Sequence, residues 1–240
     1  MMSLLASTAA VAAQTRTEEL MSSRGSPTGL DVSAVGYLEI DAGGRRNFGS
    51  AALVDPCHIK TAAHMFRGRA AGSLNRAAKG TVSFGYERSG DAFSFASTHR
   101  VVSVAVNPRF DPRKTQQPAH DVAVARIEPC VQGAQITTDR SSGIDSIGQL
   151  SRRFAIVGYV PDASLRPRLF ALRSCLWTGD GDALGILLNC PGRSGMSGGS
   201  VFMAESGGLV DVGVYTSTVN VRGRTYGAFS PLSANQAILP

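Results

Sequence analysis

Residues 121–127 read DVAVARI. Val122, Val124 and Ile127 are β-branched, and the run lies between Pro118 and Pro129. A short apolar run of this kind, closed by turn residues, reads as a β-strand that alternates or is wholly buried. Its first residue does not suit that setting. A carboxylate taken out of water is costly unless it is paired, so Asp121 needs a partner.

Runs of the same kind recur along the chain. Before Asp121 they are 35–40 (VGYLEI), 48–54 (FGSAALV), 58–63, 80–87 (GTVSFGYE) and 93–106. After it come 154–160 (FAIVGYV), 168–176, 183–189 (ALGILLN), 199–203, 209–217 (LVDVGVYTS) and 225–231 (TYGAFSP). The polar stretch VQGAQITTDRSSGIDSIGQL, 131–150, separates the two sets as a linker. A 3.6-residue apolar repeat is weakly present only near 234–239. The expected fold is all-β, in two halves of about six strands each, 34–130 and 151–240. Antiparallel sheets of this size close into barrels or stack as a sandwich, which shields their edges. The cleft between two such halves is the natural place for a site.

The 240 residues are enough for a large core in one or two domains. A 43% hydrophobic content with mean hydropathy +0.01 excludes a disordered chain and a multi-span membrane protein. No membrane span is expected, because no apolar run reaches the roughly 18 residues of a spanning helix. Residues 1–13 read as a signal-like segment with an A-x-A site at Ala10-Val11-Ala12, without a positive start. Residues 14–33 read as a flexible lead-in. The net charge is +6, carried mostly by scattered arginines that do not interleave with aromatics, so no specific nucleic-acid partner is expected.

The cysteines, 57, 130, 175 and 190, lack the C-x-x-C spacing of a zinc site, so neither metal nor cofactor is expected. They allow three pairings in an oxidising compartment. Keeping each bridge within one half of the chain selects Cys57–Cys130 and Cys175–Cys190. A secreted or periplasmic monomer is the expected state.

The chemistry gathers on three segments. CPGRSGMSGGSVF, 190–202, sets Ser197 among glycines that leave backbone amides bare. A serine hydroxyl is a weak nucleophile and needs a general base, itself oriented by a third group. All four histidines, 58, 64, 99 and 120, precede Ser197, which excludes the α/β-hydrolase order. CHIKTAAHMF runs as a strand into a small-residue turn carrying His64. The strand of DVAVARI opens on Asp121, whose needed partner can be an imidazole N–H. The amides of Gly195 and Ser197 can point at one spot, where an oxyanion would form.

TAAH, DVAVARI and GMSGGSVF, with NPRFDP ahead of Asp121, together resemble the signature segments of the chymotrypsin/trypsin-like serine proteases. The likeness covers roughly residues 34–232. It implies two six-stranded antiparallel β-barrels with the active site in the cleft between them. It further implies His64 as general base and acid, Asp121 as orienter and Ser197 as nucleophile, with the Gly195 and Ser197 amides as oxyanion donors. Many animal-type members carry an aspartate before the serine, which pairs with a new N-terminus after zymogen cleavage. Here that residue is Met196, and no R-I-V-G-G site is present. The chain therefore looks more like the bacterial, glutamyl-endopeptidase-like branch.

The same resemblance implies a substrate site. Pro191 stands where trypsin-type enzymes hold a pocket aspartate, and Tyr215 where glutamate-specific relatives put a histidine. Tyr215, Thr218 and Gly192 would make a neutral, hydroxyl-lined pocket with Gly227 on its far wall. Arg193 would attract an acidic side chain or point to the surface. Thr216 would donate its hydroxyl to Asp121, and the 212–218 strand, Ser217 included, would pair with the substrate backbone. His58 and His120 read as surface or packing residues and His99-Arg100 as a solvated stretch. Asp55, Asp91 and Asp111 read as turn residues. The expected function is serine endopeptidase acting on polypeptides. The alternatives are a catalytically inactive binding module on the same fold, and an esterase of the same chemistry.

Overall fold

The structure is a computed structural model that describes residues 16–24, 32–70, 72–75, 79–114, 117–133, 153–180, 186–205 and 208–240. The signal-like segment and most of the 131–150 linker lie outside the described residues.

Thirteen strands account for nearly all regular structure among the described residues, and no α-helix is among them. Strands β2 (Val35–Asp41), β3 (Arg46–Asp55), β4 (His58–Thr61), β5 (Lys79–Ser89), β6 (Ala92–Val106) and β7 (Ala123–Glu128) form a closed barrel in the order β2-β3-β4-β7-β6-β5. Strands β8 (Arg153–Pro161), β9 (Pro167–Asp180), β10 (Ile186–Leu188), β11 (Ser200–Glu205), β12 (Gly208–Val221) and β13 (Arg224–Pro231) form the second ring. It runs β8-β9-β10-β13-β12-β11 and closes through β11–β8. Every pairing is antiparallel, so closure leaves each ring without a free edge strand of its own.

Each ring buries its own apolar core. The first holds Leu38, Leu53, Ile59, Val82, Phe84 and Ile127. The second holds Phe154, Ile156, Leu172, Leu188, Val201 and Phe229. A third cluster joins the rings. Tyr37 and Tyr86 of the first pack edge-on against Tyr159 of the second, at centroid distances of 5.7 and 5.6 Å. The disulfides are Cys57–Cys130 and Cys175–Cys190, one in each half, with Cα atoms 4.4 and 5.4 Å apart.

The lead-in differs from its expectation. Residues 16–20 form strand β1 (Arg16–Leu20) on the outer edge of β9, and Ser22 bridges to Glu87 on β5. RTEEL has little hydrophobic pattern because only Leu20 is buried, at the cluster between the rings. The strand is held by backbone hydrogen bonds, which any residue makes, and by ion pairs from Glu19 to Arg88 and Arg168. The segment thereby straps one ring to the other. At the opposite end, Leu232–Ile238 forms 3₁₀ turns kinked at Asn235, and Leu232 packs on Val122 and Val214.

Candidate active site

His64 lies in the 3₁₀ turn Ala63–Phe66 that follows β4. Asp121 ends the 3₁₀ turn Pro118–His120, two residues before β7 rather than within the strand. β4 and β7 pair antiparallel through Thr61 and Ala123. Going forward from Thr61 therefore runs alongside going backward from Ala123, and this register brings His64 to Asp121. The carboxylate accepts twice from the same residue: Oδ2 lies 2.6 Å from His64 Nδ1, and Oδ1 accepts the His64 backbone N–H at 2.8 Å. The Asp121 side chain is 10% exposed and that of His64 28%, so the buried carboxylate has its partner and the imidazole still reaches solvent.

Ser197 stands on the turn that leads into β11. Gly195 and Gly198 adopt φ of +97° and +86°, a region that favours glycine. At Gly198 a Cβ would lie 2.0 Å from the Ser50 carbonyl oxygen and 2.2 Å from Thr61 Oγ1. The turn is bonded from both rings. The Gly198 N–H donates to the Tyr215 carbonyl (2.7 Å) and the Tyr215 N–H to the Gly199 carbonyl (2.8 Å). From the first ring, the Ser50 N–H donates to the Ser197 carbonyl (2.8 Å) and the Ser50 hydroxyl to the Gly195 carbonyl (3.1 Å). The Gly195 and Ser197 N–H groups donate to no described residue. In particular, the Ser194 carbonyl does not take the Ser197 amide.

His64, Asp121 and Ser197 line one cleft of 470 Å³ with Gly192, Arg193, Tyr215, Thr216, Ser217 and Thr218. The Ser197 hydroxyl donates to the Thr216 carbonyl at 3.2 Å. The Thr216 hydroxyl does not go to Asp121; it donates to the Ala228 carbonyl at 3.1 Å. Thr216 sits at the β-bulge between Tyr215 and Ser217, where strand alternation is broken and the hydroxyl stays against β13. β11 pairs with β12 only as far as Ser200 and Val214. Beyond that point residues 216–218 have β13 on one side and the cleft on the other.

The expected pocket is filled. Tyr215 is 1% exposed, and its ring lies between Gly192 and Gly227. Its hydroxyl accepts the Gly192 N–H (3.0 Å) and bonds Thr218 Oγ1 (2.8 Å), while the Thr218 hydroxyl donates to the Gly192 carbonyl (3.1 Å). Burial pushes the Tyr215 phenol pKa up. Arg193 lies at the mouth, its guanidinium 4.6 Å from the centre of the Phe170 ring. Pro191 is exposed beside it.

No protein-family model matches the chain, and no curated protein matches its sequence. Solved structures do match its fold. A thermostable serine protease, AL20, from an extremophilic microorganism superposes with a TM-score of 0.64 at 16% identity, covering 87% of this chain and 96% of that one. The protease Anisep from Arthrobacter nicotinovorans superposes with a TM-score of 0.62 at 12% identity, covering 86% and 93%. This is the chymotrypsin-like two-barrel fold. Within that fold, His64 and Asp121 belong to the first barrel and Ser197 to the second, and the cleft runs between them.

Other residues take different places. His58 bonds the Asp55 carboxylate at 2.9 Å, outside the cleft. His99 is not solvated: it is 4% exposed, packs edge-on against Phe84 and bonds the Pro129 carbonyl at 2.6 Å. A strand position facing inward decided this, and the polar neighbours Thr98 and Arg100 obscured it. Two buried polar groups that join the barrels behind the cleft are not evident in the sequence. One is Ser50, a small residue in an apolar run. The other is the buried pair Lys60–Asp211; a charge in each of two apolar strands was the signal for it.

Proposed function

We propose that this protein is a secreted serine endopeptidase. The observation that carries the reading is the double hold of Asp121 on His64, in the cleft that Ser197 also lines. The Ser197 hydroxyl leaves the Thr216 carbonyl and donates to His64 Nε2. As Oγ attacks the substrate carbonyl carbon, His64 takes the proton and Asp121 stabilises the imidazolium. The Gly195 and Ser197 N–H groups bind the oxyanion. The imidazolium then protonates the leaving amine, the C–N bond breaks, and water hydrolyses the acyl-serine by the same steps in reverse. The edge of residues 216–218 that lines the cleft takes the substrate backbone as an added strand. Two disulfides support an oxidising destination.

The residue on the acyl side of the cut bond is small. The circuit from Gly192 N–H to Tyr215, Thr218 and the Gly192 carbonyl uses both hydroxyl protons internally. The tyrosine ring occupies the space a long side chain would enter. Glycine, alanine and serine fit; glutamate finds no room beside the ring. The phenol stands where glutamate-specific relatives put a histidine.

A fluorophosphonate probe tests the chemistry. The native protein labels at Ser197 and the Ser197→Ala variant does not. Folded native protein that never labels rejects the reading. One observation favours the second reading, an inactive binding module: the Ser197 hydroxyl is bonded to Thr216 rather than to His64. A peptide that binds the cleft without being cut, on unlabelled protein, would establish it.

A further inference from the structure

Lys60 is wholly buried on β4, in the middle of a barrel wall. Its ammonium donates to Asp211 Oδ1 at 2.5 Å and to the Gly213 carbonyl at 2.6 Å, both on β12 of the other barrel. The Asp211 carboxylate also accepts the Ser200 hydroxyl at 2.7 Å and the Gly213 N–H at 3.4 Å. The partners are 151 residues apart in sequence.

An apolar pair of similar volume would fill this site with no loss of charge hydration, so burial alone does not account for an ion pair here. Apolar contact is non-directional, whereas hydrogen bonds from an ammonium hold a fixed geometry. The segments held are those that carry the site. β4 leads to His64 within four residues. β12 carries Thr216, whose carbonyl holds the Ser197 hydroxyl. Ser200 opens β11, three residues beyond Ser197. All three meet at one carboxylate–ammonium pair.

We infer that Lys60 and Asp211 are a positioning pair that sets the register of the two barrels and thereby the approach of His64 to Ser197. The inference rests on the proposed hydrolytic role of those two residues. The clamp needs no chain cleavage to form, because its cation is a side chain.

The test separates register from stability. The chain has no free cysteine, so cysteines placed at the exposed residues Val102 and Leu165, one in each barrel, take spin labels selectively. The reference protein should show one narrow inter-label distance. Lys60→Met/Asp211→Leu/Ser200→Ala removes the polar side chains together and should keep the melting temperature. It should broaden or shift the distance, and kcat should fall about 100-fold, as for a small misplacement of reacting groups, with KM nearly unchanged. Asp211→Asn, which keeps the shape and loses the charge, should broaden the distance too, and serves where the triple variant does not fold. A narrow, unshifted distance in either folded variant overturns the inference. So does a wild-type turnover rate. Should the reference protein show no turnover, the protease reading fails, and the distance measurement still decides the clamp.

Discussion

The Ser50 hydroxyl, in the first barrel, donates to the carbonyl of Gly195 in the second, and accepts the Tyr159 N–H at 2.8 Å. One buried side chain thus fixes the orientation of a peptide that flanks the proposed oxyanion site. Ser50→Ala leaves a buried carbonyl and a buried N–H without this partner, at a cost of about 1–3 kcal/mol. Turnover should fall further than stability explains, because the Gly195–Met196 peptide then keeps only the Met196 N–H bond to the Arg193 carbonyl. Thermal melting and fluorophosphonate labelling rates, measured on the same sample, check this. An unchanged labelling rate would remove Ser50 from the oxyanion machinery.

Asp121→Asn should keep the fold and lose activity. The amide oxygen can still accept the His64 backbone N–H, but its NH2 then faces Nδ1 and holds the imidazole in the wrong tautomer, and no charge balances an imidazolium. A drop in kcat on the order of 10⁴-fold is expected. Steady-state kinetics on a peptide substrate measure it, with the circular dichroism spectrum as the control for folding. A drop of only a few-fold would mean that Asp121 is structural.

Tyr215→Ala should change which peptides are cut. Removing the ring opens the volume between Gly192 and Gly227, so bulky residues gain access on the acyl side. The same change empties a buried site, with a stability cost of about 3–5 kcal/mol. Tyr215→Phe keeps the ring and breaks the hydroxyl circuit, and small residues should remain preferred. Cleavage profiles on a peptide library separate the two variants. If the native protein already accepts large residues, the pocket assignment is wrong.

Alkaline pH should unfold the protein before four of its tyrosines titrate. Burial holds the phenols of Tyr37, Tyr86, Tyr159 and Tyr215 above the ordinary value of 10.0. Above that value the unfolded chain has released protons that the native state keeps. The unfolded state then binds fewer protons, so stability is complete below about pH 10 and falls as pH rises. Denaturant midpoints across this range, with tyrosinate absorbance, provide the check. Reversible titration of these four groups near pH 10 in the folded state would contradict it.

Much of this was legible along the chain, because strand formation depends on local pattern. Runs such as VGYLEI and FAIVGYV alternate or bury whole, and β2 and β8 follow them closely. The candidate residues His64, Asp121 and Ser197 were also readable, since each sits in a short segment of distinctive composition, and the fold brings all three to one cleft. The sequence by itself determined the strands of the two barrels, the order of the candidate groups and the need for a partner at Asp121. Only the tertiary structure decided that β1 straps the barrels, that Tyr215 fills its pocket, that Thr216 turns away from Asp121, and that Ser50 and Lys60 cross between halves. The reason is physical: hydrophobic periodicity reports which face a residue turns inward, whereas a hydrogen-bond partner 145 or 151 residues away is set by how two closed barrels dock.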